Sequence, residues 1–123
     1  MTTAQKIDTD EAQVRKDNAT AWFKALQNQI CNIFETLEDE LSSGPHADLE
    51  AGRFEHKAWQ RENSDHPNES GSVLKGGGEM RIMRGRLFEK VGVNFSEVWG
   101  NFSSAFASQI PGAQNSNGAF WAS

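Results

Sequence analysis

The residues most able to do chemistry cluster in the second half of the chain. Lys75, Arg81, Arg84, Arg86 and Lys90 lie within sixteen positions, opposed only by Glu79 and Glu89. Planar guanidinium groups grip carboxylates through paired N–H donors, so the set suits an anionic ligand; the alternative is a solvated strand edge kept soluble by charge. Gly76, Gly77 and Gly78 directly follow Lys75. A phosphate-binding loop of the Walker type places its lysine after the glycines, and a dinucleotide loop opens a helix. Here the glycines lead into a strand pattern, which suits a flexible lead-in to a sheet or a close approach of backbone to ligand. His46, His56 and His66 have neither HxxH nor HExxH spacing, so they do not read as a metal site. The single cysteine, Cys31, adjoins Ile30 and lies three residues before Phe34, so it reads as a small apolar residue on a helix face rather than a nucleophile. No Ser-His-Asp arrangement or catalytic carboxylate pair follows from the spacing.

Charge is uneven around these residues. Residues 1–70 carry fourteen acids against seven bases, whereas residues 71–123 carry three acids against five bases. An anionic ligand is drawn to the second half, while the net charge of -5 argues against a general nucleic-acid or membrane-surface binder. A lone cysteine forms no internal disulfide, the first residues lack the apolar core of a secretion signal, and no membrane span is expected. The expectation is a cytoplasmic protein. The chain has 123 residues, is 37% hydrophobic and has a mean hydropathy of -0.65. Four Trp and eight Phe enlarge the apolar volume available to a modest core.

The elements that must position these groups follow from periodicity. Trp22, Leu26, Ile30, Ile33, Leu37 and Leu41 recur at helical spacing, widened by Phe23 and Phe34. With Asp8 or Thr9 as N-cap and Gly44-Pro45 as terminator, the pattern predicts a helix over about residues 10–42. Residues 53–61 alternate weakly, as an edge strand would, and residues 62–78 read as a flexible loop. Met80–Met83 and Leu87–Val98 predict a hairpin over about 79–98, with Arg84-Gly85 at the turn. A two-residue turn pairs Ile82 with Leu87, and is favoured here; a three-residue turn suits Gly85 better but mixes the faces. On the second strand Leu87, Val91, Val93 and Phe95 share one face, and Phe88, Lys90, Asn94 and Ser96 the other. Ser103 caps a short helix ended by Pro111-Gly112, a Gly/Asn/Ser loop follows, and Phe120-Trp121-Ala122 begins another apolar element. The fold class is α+β, a long helix packed on an antiparallel sheet.

The run from Gly76 to Gly100 resembles the signature region of the oxygen-dependent coproporphyrinogen III oxidases. Gly76-Gly77-Gly78, Phe88-Glu89-Lys90, Gly92-Val93-Asn94 and Val98-Trp99-Gly100 carry most of the likeness. Trp59 and Arg61 resemble the Trp-x-Arg that precedes the glycines in that family, and Phe120–Ser123 resembles the lead-in to its next strand. Residues 63–75 read as an insertion, and many relatives have His where this chain has Trp99. The resemblance spans about residues 12–123 and implies the N-terminal portion of a single oxidase domain, with a large antiparallel sheet flanked by helices. It further implies a homodimer that oxidatively decarboxylates two propionates of coproporphyrinogen III to vinyls, giving protoporphyrinogen IX. Molecular oxygen is the co-substrate, and no metal or organic cofactor is implied. Arg61, Gly77, Gly78 and Asn94 are the candidates for substrate contact. The family's proton-handling groups lie beyond Ser123, so no catalytic residue is assigned and the chain alone is expected to be inactive. The alternative is a non-catalytic binding or self-association module built on the same hairpin and helix.

Overall fold

The computed structural model describes residues 3–61 and 71–123. Its elements are α1 (Thr3–Glu40), β1 (Glu55–Gln60), β2 (Val73–Met83), β3 (Val91–Asn101), α2 (Ser104–Ala107), a 3-10 turn (Ala113–Ser116) and β4 (Ala119–Ala122). The strands form one four-stranded antiparallel sheet in chain order, β1-β2-β3-β4. At its far edge β4 pairs with β3, Trp121 lying opposite Trp99 and Phe120 opposite Gly100. The expected α+β class is therefore the class observed.

Two compact units divide the chain. One comprises Met1–Lys57 with Met80–Phe95, the other Ala58–Glu79 with Ser96–Ser123. In the first, Cys31, Phe54 and Met83 form the buried core, with Phe34, Phe88, Val91 and Val93 packed on it. Phe34 and Phe88 meet edge to face at 5.0 Å between ring centres, the arrangement their quadrupoles favour. Val91, Val93 and Phe95 turn inward along β3, as its period-two pattern requires.

The inward face of α1 differs in part from the expected one: Phe23, Leu26, Ile30, Phe34 and Leu41 are half-buried, but other stripe residues are not. Trp22 and Ile33 remain about 60% exposed, at 62% and 60%, while Gln27, Cys31 and Glu38 are buried. The polar residues win these places because each has a partner to satisfy: Gln27 Nε2 donates to the Val93 carbonyl at 3.0 Å, and Glu38 anchors a loop described below. The helix starts before the expected cap at Asp8 or Thr9, since nothing in Ala4–Ile7 breaks it. It ends at Glu40, so Gly44, with φ of 114°, serves the following turn rather than the helix end.

The second unit is held by its aromatics. Phe102 stacks on Phe120 at 4.0 Å and meets Phe106 edge-on at 5.1 Å. Ser103 caps α2 as expected, its hydroxyl accepting the Phe106 N–H at 3.2 Å. Trp121 Nε1 donates to Glu97 Oε2 at 2.9 Å across the β3–β4 pair.

Two expectations are corrected. Residues 73–78 are not loop but the first half of β2, while residues 62–70 of the expected loop, including His66, lie outside the described residues. Strand pairing reaches these glycines because their lack of side chains lets neighbouring backbone close in. Gly76 adopts φ of 125°, and a Cβ there would run into the Glu97 carbonyl. A Cβ at Gly77 would meet the Trp59 carbonyl. The expected two-residue turn is also absent, because β2 and β3 are joined by residues 84–90. Leu87 is 46% exposed, and Phe88 packs inward in its place. The cause lies forty-eight or more residues upstream, in Glu38.

Candidate functional site

Glu38 and Arg86 organise the connection between β2 and β3. Glu38 is wholly buried, and its carboxylate accepts four backbone N–H groups: Gly52 at 2.8 Å, Arg86 at 2.6 Å, Leu87 at 2.7 Å and Phe88 at 2.8 Å. Three consecutive amides converging on one anion form a nest. These amides cannot also serve a hairpin ladder, so the strands end before them. Gly85 is required here, because a Cβ would collide with the Glu38 carboxylate. Burial alone would raise the Glu38 pKa, but the four backbone donors outweigh it and lower the value from 4.5 to about 2.

Arg86 returns the grip. Its guanidinium donates to the carbonyls of Ala47 at 2.8 Å, Glu38 at 2.9 Å, Asp39 at 3.2 Å and Leu49 at 3.3 Å. Two of those carbonyls belong to the last turn of α1, where a cation also complements the helix dipole. Nearby, Arg53 donates to both oxygens of Asp39 at 2.7 and 3.0 Å, and that hydrogen bond raises the Arg53 pKa. Glu35 accepts the Phe54 N–H at 3.0 Å.

The basic set therefore divides. Arg86 is committed to backbone carbonyls. Arg81 is buried, its Nη1 donating to Asn28 Oδ1 at 2.7 Å. Arg84 and Lys90 stay exposed. Neither a common anion clamp nor a uniformly solvated strand edge describes these residues.

Of the four sequence-predicted contact residues, three belong to the second unit. Arg61 directly follows β1, two residues after Trp59, so the two side chains share a face of the extended chain. The Arg61 guanidinium carbon lies 5.2 Å from the centre of the Trp59 ring. The Arg61 backbone N–H donates to the Gly76 carbonyl at 2.8 Å, beside Gly77 and Gly78 on β2. Arg61 Nε is buried and has no hydrogen-bond partner among the described residues. Asn94 belongs to the first unit, exposed on β3, with Oδ1 accepting the Arg81 N–H at 3.4 Å. A separate cavity of about 380 Å³ in the second unit is lined by Phe102, Ser104, Ala107, Ser108, Asn117 and Gly118, none of them a predicted contact residue.

Cys31 is buried in the core, as its spacing implied, and His46 and His56 are exposed. Among the described residues no three His, Cys, Asp or Glu side chains gather as a metal site. No helix among them is long and apolar enough to cross a membrane. Sequence reasoning missed Glu38 and Arg86. One signal was present: Glu38 is four residues after Phe34 and eleven after Gln27, so it shares their side of the helix.

A sequential antiparallel sheet, a long helix whose buried carboxylate holds the β2–β3 connection, and a glycine-rich strand beside a tryptophan–arginine pair make up an α+β scaffold. The chain is similar to oxygen-dependent coproporphyrinogen-III oxidases. That of Rickettsia bellii (strain RML369-C) is 37% identical over 99 residues, covering 80% of this chain and 31% of the relative. Those of Rickettsia felis and Rickettsia akari are 39% and 38% identical over the same length and shares. The chain thus spans 31% of the length of the curated relatives it matches. No family profile matches the chain, and no solved structure matches it.

Proposed function

We propose that this chain supplies the N-terminal portion of an oxygen-dependent coproporphyrinogen III oxidase of haem biosynthesis. The observation that carries the reading is the 37–39% identity maintained over 99 residues with relatives of that name. The observed sheet, with its glycine-rich second strand, supports it.

In the reaction each of two propionate side chains becomes a vinyl. The chain loses its carboxylate as carbon dioxide and one hydrogen from the carbon next to the ring, and the two electrons pass to dioxygen. With two protons this gives hydrogen peroxide. No metal or organic cofactor enters the balance. Arg61, Gly77, Gly78 and Asn94 are each proposed to contact substrate: the arginine through a carboxylate, Asn94 through its side-chain amide, and the glycines by letting the tetrapyrrole approach backbone. Homodimeric assembly and a cytoplasmic location belong to the same proposal.

Because the chain spans 31% of the relatives, the groups that move protons are assigned to the remaining length, and the 123-residue chain is inactive alone. Protoporphyrinogen IX formation from coproporphyrinogen III tests this. The chain alone gives no product, whereas a polypeptide joining it to the remaining length of the Rickettsia bellii relative turns over in oxygen and stops without it. A folded joined polypeptide with no activity refutes the reading. Turnover by the chain alone refutes the division of labour.

A further inference from the structure

We infer that Asn117-Gly118 is a self-modifying site, held unreactive while β4 is seated on β3 and converted to isoaspartate when β4 lifts away. The inference concerns the second unit and is independent of the proposed function.

The chemistry needs this dipeptide and water. The Gly118 backbone nitrogen attacks Cγ of the Asn117 side chain. A nitrogen–carbon bond forms, the Cγ–Nδ2 bond breaks, and ammonia leaves carrying the amide proton. The cyclic imide that remains takes up one water. Opening at Cγ gives aspartate, and opening at the backbone carbonyl gives isoaspartate, in which the main chain runs through the side-chain carbon. Water enters and ammonia leaves, with no change of oxidation state. A glycine in the second place speeds the attack, because no side chain crowds its nitrogen, and this is the one Asn-Gly pair in the sequence.

The turn itself calls for this pair. Asn117 has φ of 54° and is the one non-glycine residue among those described with a positive value, which asparagine tolerates better than most side chains. Gly118 has φ of 82°, and a Cβ there would meet the Phe102 carbonyl oxygen at 2.8 Å. A tight join between the 3-10 turn and β4 therefore favours a chemically labile sequence.

The same fold disarms it. Gly118 is buried and its N–H donates to the Ala113 carbonyl at 2.8 Å, so the proton that must leave is held and base is kept from it. The Gly118 carbonyl accepts the Phe102 N–H at 2.8 Å, and the Ser116 hydroxyl donates to the Ala119 carbonyl at 2.8 Å. Phe120, two residues on, stacks on Phe102 at 4.0 Å. These contacts are lost when β4 leaves β3, and the Gly118 nitrogen can then reach an Asn117 side chain that is already exposed. Water reaches the pair through the cavity that both residues line. Isoaspartate adds a carbon to the main chain just before β4, so the pairing of Phe120 with Gly100 is not restored. The change is one-way and marks a sheet edge that has opened.

The purified 123-residue chain is aged in mildly alkaline buffer or in denaturing urea, then digested. Mass spectrometry locates each amide that has become an acid, and an isoaspartyl methyltransferase labels the isoaspartate. In urea Asn117 converts before any other asparagine. In buffer its conversion is about ten- to a hundred-fold slower, the worth of the hydrogen bond and the ring stack that must first break. Phe120→Ala removes the stack and moves the buffer rate towards the urea rate, which it leaves unchanged. Asn117→Gly keeps the left-handed turn, gives no product there, and holds its melting temperature on ageing while wild type loses it. Equal wild-type rates in buffer and urea overturn the inference. Conversion of other asparagines ahead of Asn117 in urea, or no faster conversion of Phe120→Ala in buffer, overturns it as well.

Discussion

Replacing Glu38 by glutamine removes one charge from the place where the most backbone depends on it. The wild-type carboxylate satisfies four buried amides from Gly52, Arg86, Leu87 and Phe88. A glutamine side chain keeps a single carbonyl oxygen and aims its own N–H groups at the remaining donors. The size of the effect follows from the carboxyl pKa, lowered from 4.5 to about 2. At 1.36 kcal/mol per unit this shift is worth about 3 kcal/mol in favour of the folded, ionised state. Leaving two buried donors unsatisfied costs about 2–6 kcal/mol, which agrees with it. Glu38→Gln is therefore expected to lose about 3 kcal/mol of unfolding free energy at neutral pH. Because the folded pKa lies below the unfolded one, the wild-type advantage is complete above about pH 4.5 and disappears as pH falls towards about 2. Urea unfolding followed by circular dichroism, repeated between those limits, should show the two proteins converging at the acid end. A variant within about 1 kcal/mol of wild type at neutral pH, with an unchanged acid profile, would show that the nest contributes no net stability.

Other outcomes follow from the same contacts. Arg86→Ala frees four carbonyls near the end of α1 and should cost about 2–3 kcal/mol in urea unfolding, with Arg86→Lys recovering less than half because one ammonium cannot span them. Gly76→Ala combines a φ of 125° with a Cβ driven into the Glu97 carbonyl, so it should cost about 3 kcal/mol or more and lower the melting temperature sharply. Trp121→Phe removes the indole donor to Glu97 together with part of the ring and should cost about 1 kcal/mol or somewhat more, measured by the same unfolding curves.

Local chemistry in the sequence was enough for several elements. The alternation of Val91, Val93 and Phe95 made a strand with one buried side, and the edge strand near residues 53–61 appears as β1. Ser103 announced its helix, and Phe120-Trp121-Ala122 announced β4. The Trp59–Arg61 pairing also follows from strand geometry, since positions two apart share a face. Each of these depends on residues close together in the chain, so the cause and its effect fall within one window. Tertiary structure alone decided that a carboxylate is buried on the inward side of α1 and how β2 passes to β3. Both depend on Glu38, whose partners Arg86, Leu87 and Phe88 are 48, 49 and 50 residues away. Hydropathy ranks a glutamate as a surface residue, because its cost of burial is fixed by its own chemistry. The four amides that repay that cost are gathered only when the chain folds, so a carboxylate joins the apolar residues on the buried side of the helix.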